Sequence, residues 1–419
     1  MKKKIPAVKG TKDILPPEAR RWQSVEAVVK RVCELYGYRE IRTPIFEATE
    51  LFEKGTGQTS DIVIKEMYTF TDKAGRSLTL RPEYTPSVVR SIIDNRLYLK
   101  TDPLRFYFMG PMFRYDKPQK GRYRQFHQLD VEVFAEKDPA VDAELVEMAT
   151  YLLQELKVTD TEILVNSVGC KACRPSYITK LRTHAQKEKQ ELCEDCKRKV
   201  LTNPLRIFDC KLETCQAIAR DFPMITDHLC QECEEHFKKF CTHLDFYGLK
   251  YRIEPRLVRG IDYYTKTTFE VISPKLGAQD AVLGGGRYDD MMKEFGGPDI
   301  CGIGFAMGLE RLLSVVPKTE LKEQFLYLVY LGDEAKEAGM ALAQFLRREG
   351  VGCLMEYKEK GLKSQMSRAN KLGATWVLIV GEDEVKKGRY QLKNMATGRQ
   401  EEWSQKEILD VIREASRII

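Results

Sequence analysis

Between Gly110 and Phe134 the sequence GPMFRYDKPQKGRYRQFHQLDVEVF sets two apolar-rich runs around a polar loop holding Asp116, Pro118 and Gly121. That is the pattern of an antiparallel strand pair. Alternate residues of a strand share a face. The second run therefore gathers Arg122, Arg124, Phe126, Gln128, Asp130 and Glu132 on one side, and Leu129, Val131 and Val133 on the other. The apolar side suits a core. The polar side is graded: cations first, then an aromatic plate, an amide and two carboxylates. An ordinary solvated face would intermix its charges. From Phe126 to Glu132 a strand covers roughly 20 Å, enough to seat a ligand with phosphate at one end, a flat base on the ring and an ammonium at the other.

A second chemical signal lies between Cys170 and Cys233, where eight of the 12 cysteines fall in pairs: Cys170/Cys173, Cys193/Cys196, Cys210/Cys215 and Cys230/Cys233. The first two pairs have the C-x2-C…C-x2-C spacing of a tetrahedral thiolate zinc site. The last two could build another, with His228 and His236 as spare ligands. Buried free thiols or a redox dithiol are the other readings, and spacing alone leaves the pairing and the number of ions open. Residues 170–200 carry nine Lys/Arg against four Asp/Glu, an excess that would compensate thiolates, touch phosphate or simply face solvent.

Weaker signals surround these. YTFTDKAGRSLTLRP reads as a hairpin delivering Arg81, Glu83 and Thr85 to a helix start, where Glu83 either meets an ammonium or serves the helix dipole. LVRGIDYYT (Leu257–Thr265) combines an arginine with two tyrosines, and GGGRYDD (Gly284–Asp290) reads as a glycine-rich turn open to close backbone approach. GIGFAMGLER (Gly302–Arg311) reads as a strand entering a helix, with small residues at the crossing and Arg311 pointing back along it, to hold a phosphate or simply face solvent.

The elements that must position these residues follow from periodicity. A chain of 419 residues implies two or three domains. Its composition, 43% apolar and 31% charged, is that of a globular protein, and a net charge of +6 confines any nucleic-acid contact to local patches. The basic start MKKKIPAVKG lacks the apolar run of a signal peptide, and no stretch is long and apolar enough to span a bilayer. A cytoplasmic protein with reduced cysteines is the expectation. Trp22, Val25, Val29, Val32 and Leu35 recur at helical spacing up to Gly37. Tyr38 to Phe46 alternates as a strand whose Pro44 argues for an edge, open to a second subunit or covered. A helix over Ala140–Leu156 follows the strand pair. Beyond a boundary near Val316–Phe325 the pattern alternates strand and helix, implying a small α/β domain with a partly parallel sheet. Its last helix opens at Ser404 with Glu407 completing a capping box. Lys363, Lys371 and Lys386 give this domain basic spots, so it reads as a binding module.

Together these segments resemble a class II aminoacyl-tRNA synthetase, specifically the histidyl-tRNA synthetase family. Phe113-Arg114 with Arg122, Phe126 and Asp130 looks like the class's motif 2, although Asp116 stands where Glu is usual. Pro44 sits as in motif 1, and Gly302–Arg311 looks like motif 3. LVRGIDYYT and GGGRYD are similar to the two histidine-specific signatures, and RPEYTPSVVR and KGTKDILP fit the same family. The resemblance implies an α+β fold: an antiparallel-sheet catalytic domain over 1–168 and 246–320, a cysteine-rich insertion over 169–245, and a C-terminal α/β anticodon-binding domain over 325–419. It also implies a homodimer through motif 1, and a reaction joining L-histidine to histidine tRNA at the expense of ATP with Mg2+. By the same resemblance Glu83, Thr85, Gln128 and Glu132 would hold the ammonium and backbone of histidine, and Tyr263, Tyr264 and Tyr288 its imidazole. Arg114 would meet the α-phosphate, Phe126 adenine, and Arg122 and Arg311 the outer phosphates. Arg259 would stabilise charge developing at the α-phosphate. The paired cysteines are not part of the family signature, so zinc rests on spacing.

Two rival classes stay open. A synthetase-like regulator would bind histidine without charging tRNA, but such proteins tend to lose the LVRG arginine or the C-terminal domain. A zinc-dependent nucleic-acid-binding protein built on the cysteines would leave the graded strand without a purpose.

Overall fold

Trp22, Val25, Val29 and Val32 are buried along one side of helix α1 (Pro16–Leu35), and Gly37, at φ 77°, turns the chain out of it. The computed structural model describes residues 5–57, 60–100, 103–119, 121–277, 280–318, 325–358 and 360–417. The lysine run at 2–4 and the junction at 319–324 lie outside the described residues. Two compact units divide between Lys318 and Thr319.

In the first unit the expected strand over Tyr38–Phe46 is broken into β1 (Arg39–Glu40) and β2 (Phe46–Ala48). The interruption has a cause: the Thr43 and Pro44 carbonyls accept from buried Arg81 at 3.1 and 3.3 Å, and Pro44 has no N–H to offer a ladder. Helix α2 (Thr49–Thr56) leads to the hairpin β3 (Tyr68–Thr71) and β4 (Ser77–Leu80), which forms a small sheet in the order β2–β4–β3. Helix α3 (Thr85–Asp94) follows.

The strand pair read from sequence is β5 (Leu104–Phe113) and β6 (Gln125–Phe134), antiparallel over their whole length. After α4 (Pro139–Glu155) and β7 (Glu162–Ser167) comes the cysteine-rich segment with α5 (Arg174–Lys187), α6 (Glu194–Thr202), α7 (Glu213–Ala219) and α8 (Gln231–Phe246). Then follow β8 (Tyr251–Ile253), β9 (Thr265–Ile272), β10 (Ala281–Arg287), short α9 (Met291–Glu294), β11 (Gly302–Gly308) and α10 (Leu309–Val315). The main sheet runs β1–β5–β6–β11–β10–β9–β7–β8, antiparallel except in its end pairs β1/β5 and β7/β8. One face packs on α1, α4, α8 and α10 through residues such as Val29, Leu129, Val131, Leu145, Phe240, Phe305 and Leu312. The opposite face is only partly covered, by α3 and its neighbours, and this opening becomes the cavity described below. Helix α8 belongs to the main core, whereas α5, α6 and α7 close over their own core of Tyr177, Leu181, Val200, Ile207 and Phe222.

One reading is corrected here. GGGRYDD is not a turn: Gly284, Gly285 and Gly286 lie inside β10, in the middle of the sheet. The reason is steric. A Cβ on Gly285 would fall 2.2 Å from the Gly304 carbonyl oxygen, so close strand packing demands glycine here.

The second unit is the partly parallel α/β sheet expected: β12 (Leu326–Tyr330) lies between β13 (Cys353–Met355) and β14 (Trp376–Val380), parallel to both, and β15 (Arg389–Asn394) and β16 (Gln400–Ser404) continue antiparallel. Helices α11 (Asp333–Arg348), α12 (Leu362–Leu372), α13 (Glu382–Lys387) and α14 (Gln405–Arg417) accompany it. Leu328, Leu342, Leu378 and Ile408 centre its core, and Ser404 N donates to Glu407 at 2.7 Å in the expected cap.

Candidate active site

On the open face of the main sheet, β6, β10 and β11 floor a cavity of about 310 Å³. Strand parity places Gln128, Asp130 and Glu132 there and sends Leu129, Val131 and Val133 into the core. The cavity also takes in Glu83, Thr85, Arg114, Arg122, Phe126, Arg259, Tyr263, Tyr264, Tyr288 and Arg311. All the residues singled out for substrate thus share one cavity. Arg124 does not. The strand begins only at Gln125, so parity no longer governs the loop before it, and Arg124 turns back over Tyr115, 4.0 Å from the ring.

One end of the cavity is acidic. Glu83, Asp130 and Glu132 are 3 to 4% exposed. Glu83 accepts from the Thr56 hydroxyl and, at 3.0 Å, from Tyr263. Glu132 accepts from Thr85 at 2.6 Å and from Tyr288. Asp130 Oδ2 has no hydrogen-bond donor among the described residues. Burial pushes the Glu132 carboxyl up to about 7 and Glu83 above its usual range. Asp130 is raised well above its usual range, by burial and then by Glu132 and Glu83. Two carboxylates held by hydroxyls and a third with an unpartnered oxygen, none of them in an ion pair among the described residues, make a receptor for a positive group. Tyr263 and Tyr264 (ring centroids 5.0 Å apart) and Tyr263 and Tyr288 (5.6 Å) wall this end.

The other end is cationic. Arg114 lies with its guanidinium carbon 5.2 Å from the Phe126 ring and donates to the Pro82 carbonyl at 2.8 Å. Arg122 pairs with Asp116, so the aspartate of the loop holds an arginine. Arg311 donates to the Ala281 carbonyl at 3.1 Å, and burial together with Arg122, Arg259 and Arg114 lowers its proton affinity. Arg259 is paired with Glu270. Even with Asp116 and Glu270 beside two of them, four arginines gathered here favour an anion.

Glycines make room for the polar groups. Gly304 faces Glu132 across β11–β6, and a Cβ there would sit 1.9 Å from Glu132 Oε2. Gly302 makes the same allowance for the Tyr288 ring (2.3 Å) and Gly286 for that of Tyr264 (2.8 Å). Arg287 points the other way, buried against Asp142 of α4.

Sequence reasoning missed Thr56, Glu270 and Glu310. Nothing local marks Thr56. Glu270 left a trace as a lone acid in the apolar strand TTFEVI, and Glu310, which binds the backbone N–H and ring of His127 (3.0 and 2.9 Å), as the acid beside Arg311.

The cysteines form two groups, but not in the suggested order. Cys170 and Cys173 meet Cys230 and Cys233, while Cys193 and Cys196 meet Cys210 and Cys215. The nesting follows from topology: α5 leaves the sheet frame and α8 returns to it, so the outermost pairs meet at the root. Neither histidine joins a group. His228 packs against Tyr177, and His236 lies 3.6 Å from Asp142. Sγ–Sγ distances of 3.8, 3.8, 3.9 and 3.9 Å are far beyond a disulfide. They match the edge of roughly 3.8 Å that Zn–S bonds of about 2.3 Å give a tetrahedron. Backbone N–H groups of Cys170, Ala172, Cys193 and Cys196 point at sulfurs at 3.2 to 3.4 Å, an arrangement that steadies sulfur in its thiolate form.

Residues 10–312 match the family model described as histidyl-tRNA synthetase, and residues 326–415 the one described as anticodon binding domain. The chain is 47% identical over 403 residues to a histidine–tRNA ligase of Halothermothrix orenii, covering 95% of this chain and 96% of that one. It is also 47% identical over 403 residues to a histidine–tRNA ligase of Caldanaerobacter subterraneus subsp. tengcongensis, covering 94% and 96%. Among solved structures it is similar to the apo histidyl-tRNA synthetase of S. aureus, with a TM-score of 0.82 and 35% identity over 98% of this chain and 100% of that one.

Proposed function

The chain belongs to the histidyl-tRNA synthetase family, and from that premise we propose how its cavity serves the reaction. It activates histidine with ATP to histidyl-adenylate and passes the histidyl group to the 3′ end of histidine tRNA. Glu83, Thr85, Gln128 and Glu132 hold the ammonium and backbone of histidine. Tyr263, Tyr264 and Tyr288 enclose its imidazole, and an analogue without the ring nitrogens would strand their buried hydroxyls. Phe126 stacks on adenine, Arg114 binds the α-phosphate, and Arg122 and Arg311 bind the outer phosphates of ATP, which enters as its magnesium complex.

The chemistry follows from charge. A carboxylate oxygen of histidine attacks the α-phosphorus, and the bond to the β-phosphate oxygen breaks, releasing pyrophosphate. Two anions must meet, so the work is positioning and charge neutralisation. The acidic end turns the ammonium away from phosphorus, which leaves the carboxylate facing it. Arg259 and Arg114 stabilise the charge that develops there. What supports this reading is that buried carboxylates without an ion-pair partner among the described residues share one cavity with four arginines gathered toward its other end. Pyrophosphate exchange measured with each amino acid in turn is its test: exchange should depend on histidine alone, and equal exchange with another amino acid would overturn it.

Zinc at both cysteine groups is a structural role, supported by the sulfur spacing. A homodimer through the motif 1 region is supported by exposed Ile45, Phe46 and Phe70 clustered near Pro44, an apolar patch that asks for a partner. A monomer in sedimentation at micromolar concentration would remove it. The C-terminal unit meets tRNA through the exposed α12 face carrying Lys363 and Lys371. A cytoplasmic location agrees with eight thiols arranged as metal ligands. No helix among the described residues is long and apolar enough to cross a membrane.

A further inference from the structure

Between α6 and α7 the cysteine-rich module sends a short 3-10 turn, Pro204–Ile207, toward the sheet. Arg206 on this turn is 9% exposed and lines the substrate cavity although its chain neighbours belong to the module's own core. Its Nη2 donates to Asp61 Oδ2 at 3.1 Å and lies 3.6 Å from where a Cβ on Gly260 would stand. Just before the turn, Asn203 Nδ2 donates to Asp262 Oδ1 at 2.8 Å. Asp209, just after it, lies within electrostatic reach of both Arg206 and Arg259.

The partners matter. Asp61 opens the π-helical segment Ile62–Glu66, whose Ile62 and Glu66 line the cavity, and it follows closely on Thr56, the donor to Glu83. Asp262 stands between Arg259 and Tyr263, and a Cβ on Gly57 would fall 2.9 Å from it. The two bonds therefore tie two segments that border the ammonium end, 60–66 and 257–264, to one turn of the module. On the function proposed above, we propose that Arg206 and Asn203 are positioning residues for histidine activation: they clasp the 60–66 and 257–264 segments so that Tyr263, and through its hydrogen bond Glu83, stands ready for the amino acid. At the nucleotide end Phe126 stands on β6, Arg114 is tied to the Pro82 carbonyl and Arg311 to that of Ala281, contacts the clasp does not touch; Arg259 shares the 257–264 loop with Tyr263. Arg206 emerges four residues before Cys210, so the clasp is mounted on the second cysteine group.

The test is pyrophosphate exchange in the full chain with separate titration of histidine and ATP. Arg206→Ala should raise KM for histidine at least tenfold and move KM for ATP less than twofold, with Tm close to the parent. Arg206→Asp and Asp61→Arg should each be impaired, and the double swap should regain most of the histidine affinity, which a merely structural role would not predict. If Arg206→Ala does not fold, Asp61→Asn, which keeps the shape and removes the charge, takes its place. Equal losses for histidine and ATP, an unchanged KM for histidine, or a double swap no better than its single parents would each overturn the clasp.

Discussion

The Arg259 guanidinium lies over Gly284, its carbon 2.4 Å from where a Cβ on that glycine would stand, and from there it pairs with Glu270. Glu270 is the cross-strand partner of Gly284 in β9–β10. The missing side chain is thus what lets an arginine from a loop settle on the sheet beside a carboxylate. Glu270 thereby fixes the Arg259 guanidinium at the edge of the cavity.

This arrangement predicts that Arg259→Ala lowers the rate of histidine-dependent pyrophosphate exchange by about 10²–10³-fold, the range for losing a donor to developing charge. Its circular dichroism and Tm should match the parent. Glu270→Gln should cost less than Arg259→Ala, because it loosens the arginine without removing it. Undiminished exchange in Arg259→Ala would take that residue out of the reaction.

The glycines separate function from stability. Gly284→Ala meets only the far end of a flexible arginine, so the variant should fold and lose activity. Gly285→Ala meets the Gly304 carbonyl at 2.2 Å, which cannot move aside. It should destabilise the fold by about 1–3 kcal/mol, as overpacking does. Thermal melts and exchange rates on both variants would check this. The reverse ranking of their melting temperatures would refute it.

Glu132 predicts a pH dependence. Its carboxyl is raised to about 7 by burial in the ligand-free protein, so between about pH 4.5 and 7 the folded state keeps a proton that the unfolded chain has lost. Stability must fall as pH rises through that window, by on the order of 3 kcal/mol when complete. Glu132→Gln should remove this dependence. The variant's Tm should therefore drop less between pH 5 and pH 8 than the parent's. Identical drops would show that Glu132 ionises as freely as a surface acid.

The nested cysteine groups predict metal content. Elemental analysis of protein purified without added metal should give two zinc ions per chain. Cys173→Ser and Cys196→Ser should each remove one, and the double variant both, since the two residues belong to different groups. Were the first two pairs to share one ion, the double variant would keep the other. A fully folded, metal-free parent would discard zinc altogether.

Alternation in QFHQLDVEVF was enough to place Gln128, Asp130 and Glu132 on one face and Leu129, Val131 and Val133 in the core, because a strand's period is a local property. Helical spacing from Trp22 to Val32 and the strand–helix alternation after Phe325 were legible for the same reason. The fold class and the reaction followed from short signatures whose residue order is itself the information. Distance along the chain hid the rest. Thr56 reaches Glu83, Glu270 reaches Arg259, and Cys173 reaches Cys233 only because the sheet and the module's returning helix bring them together. GGGR looked like a turn because glycine usually marks one. Only the neighbouring strands, with a carbonyl at one glycine and an arginine at the next, turned those residues into the floor of a site.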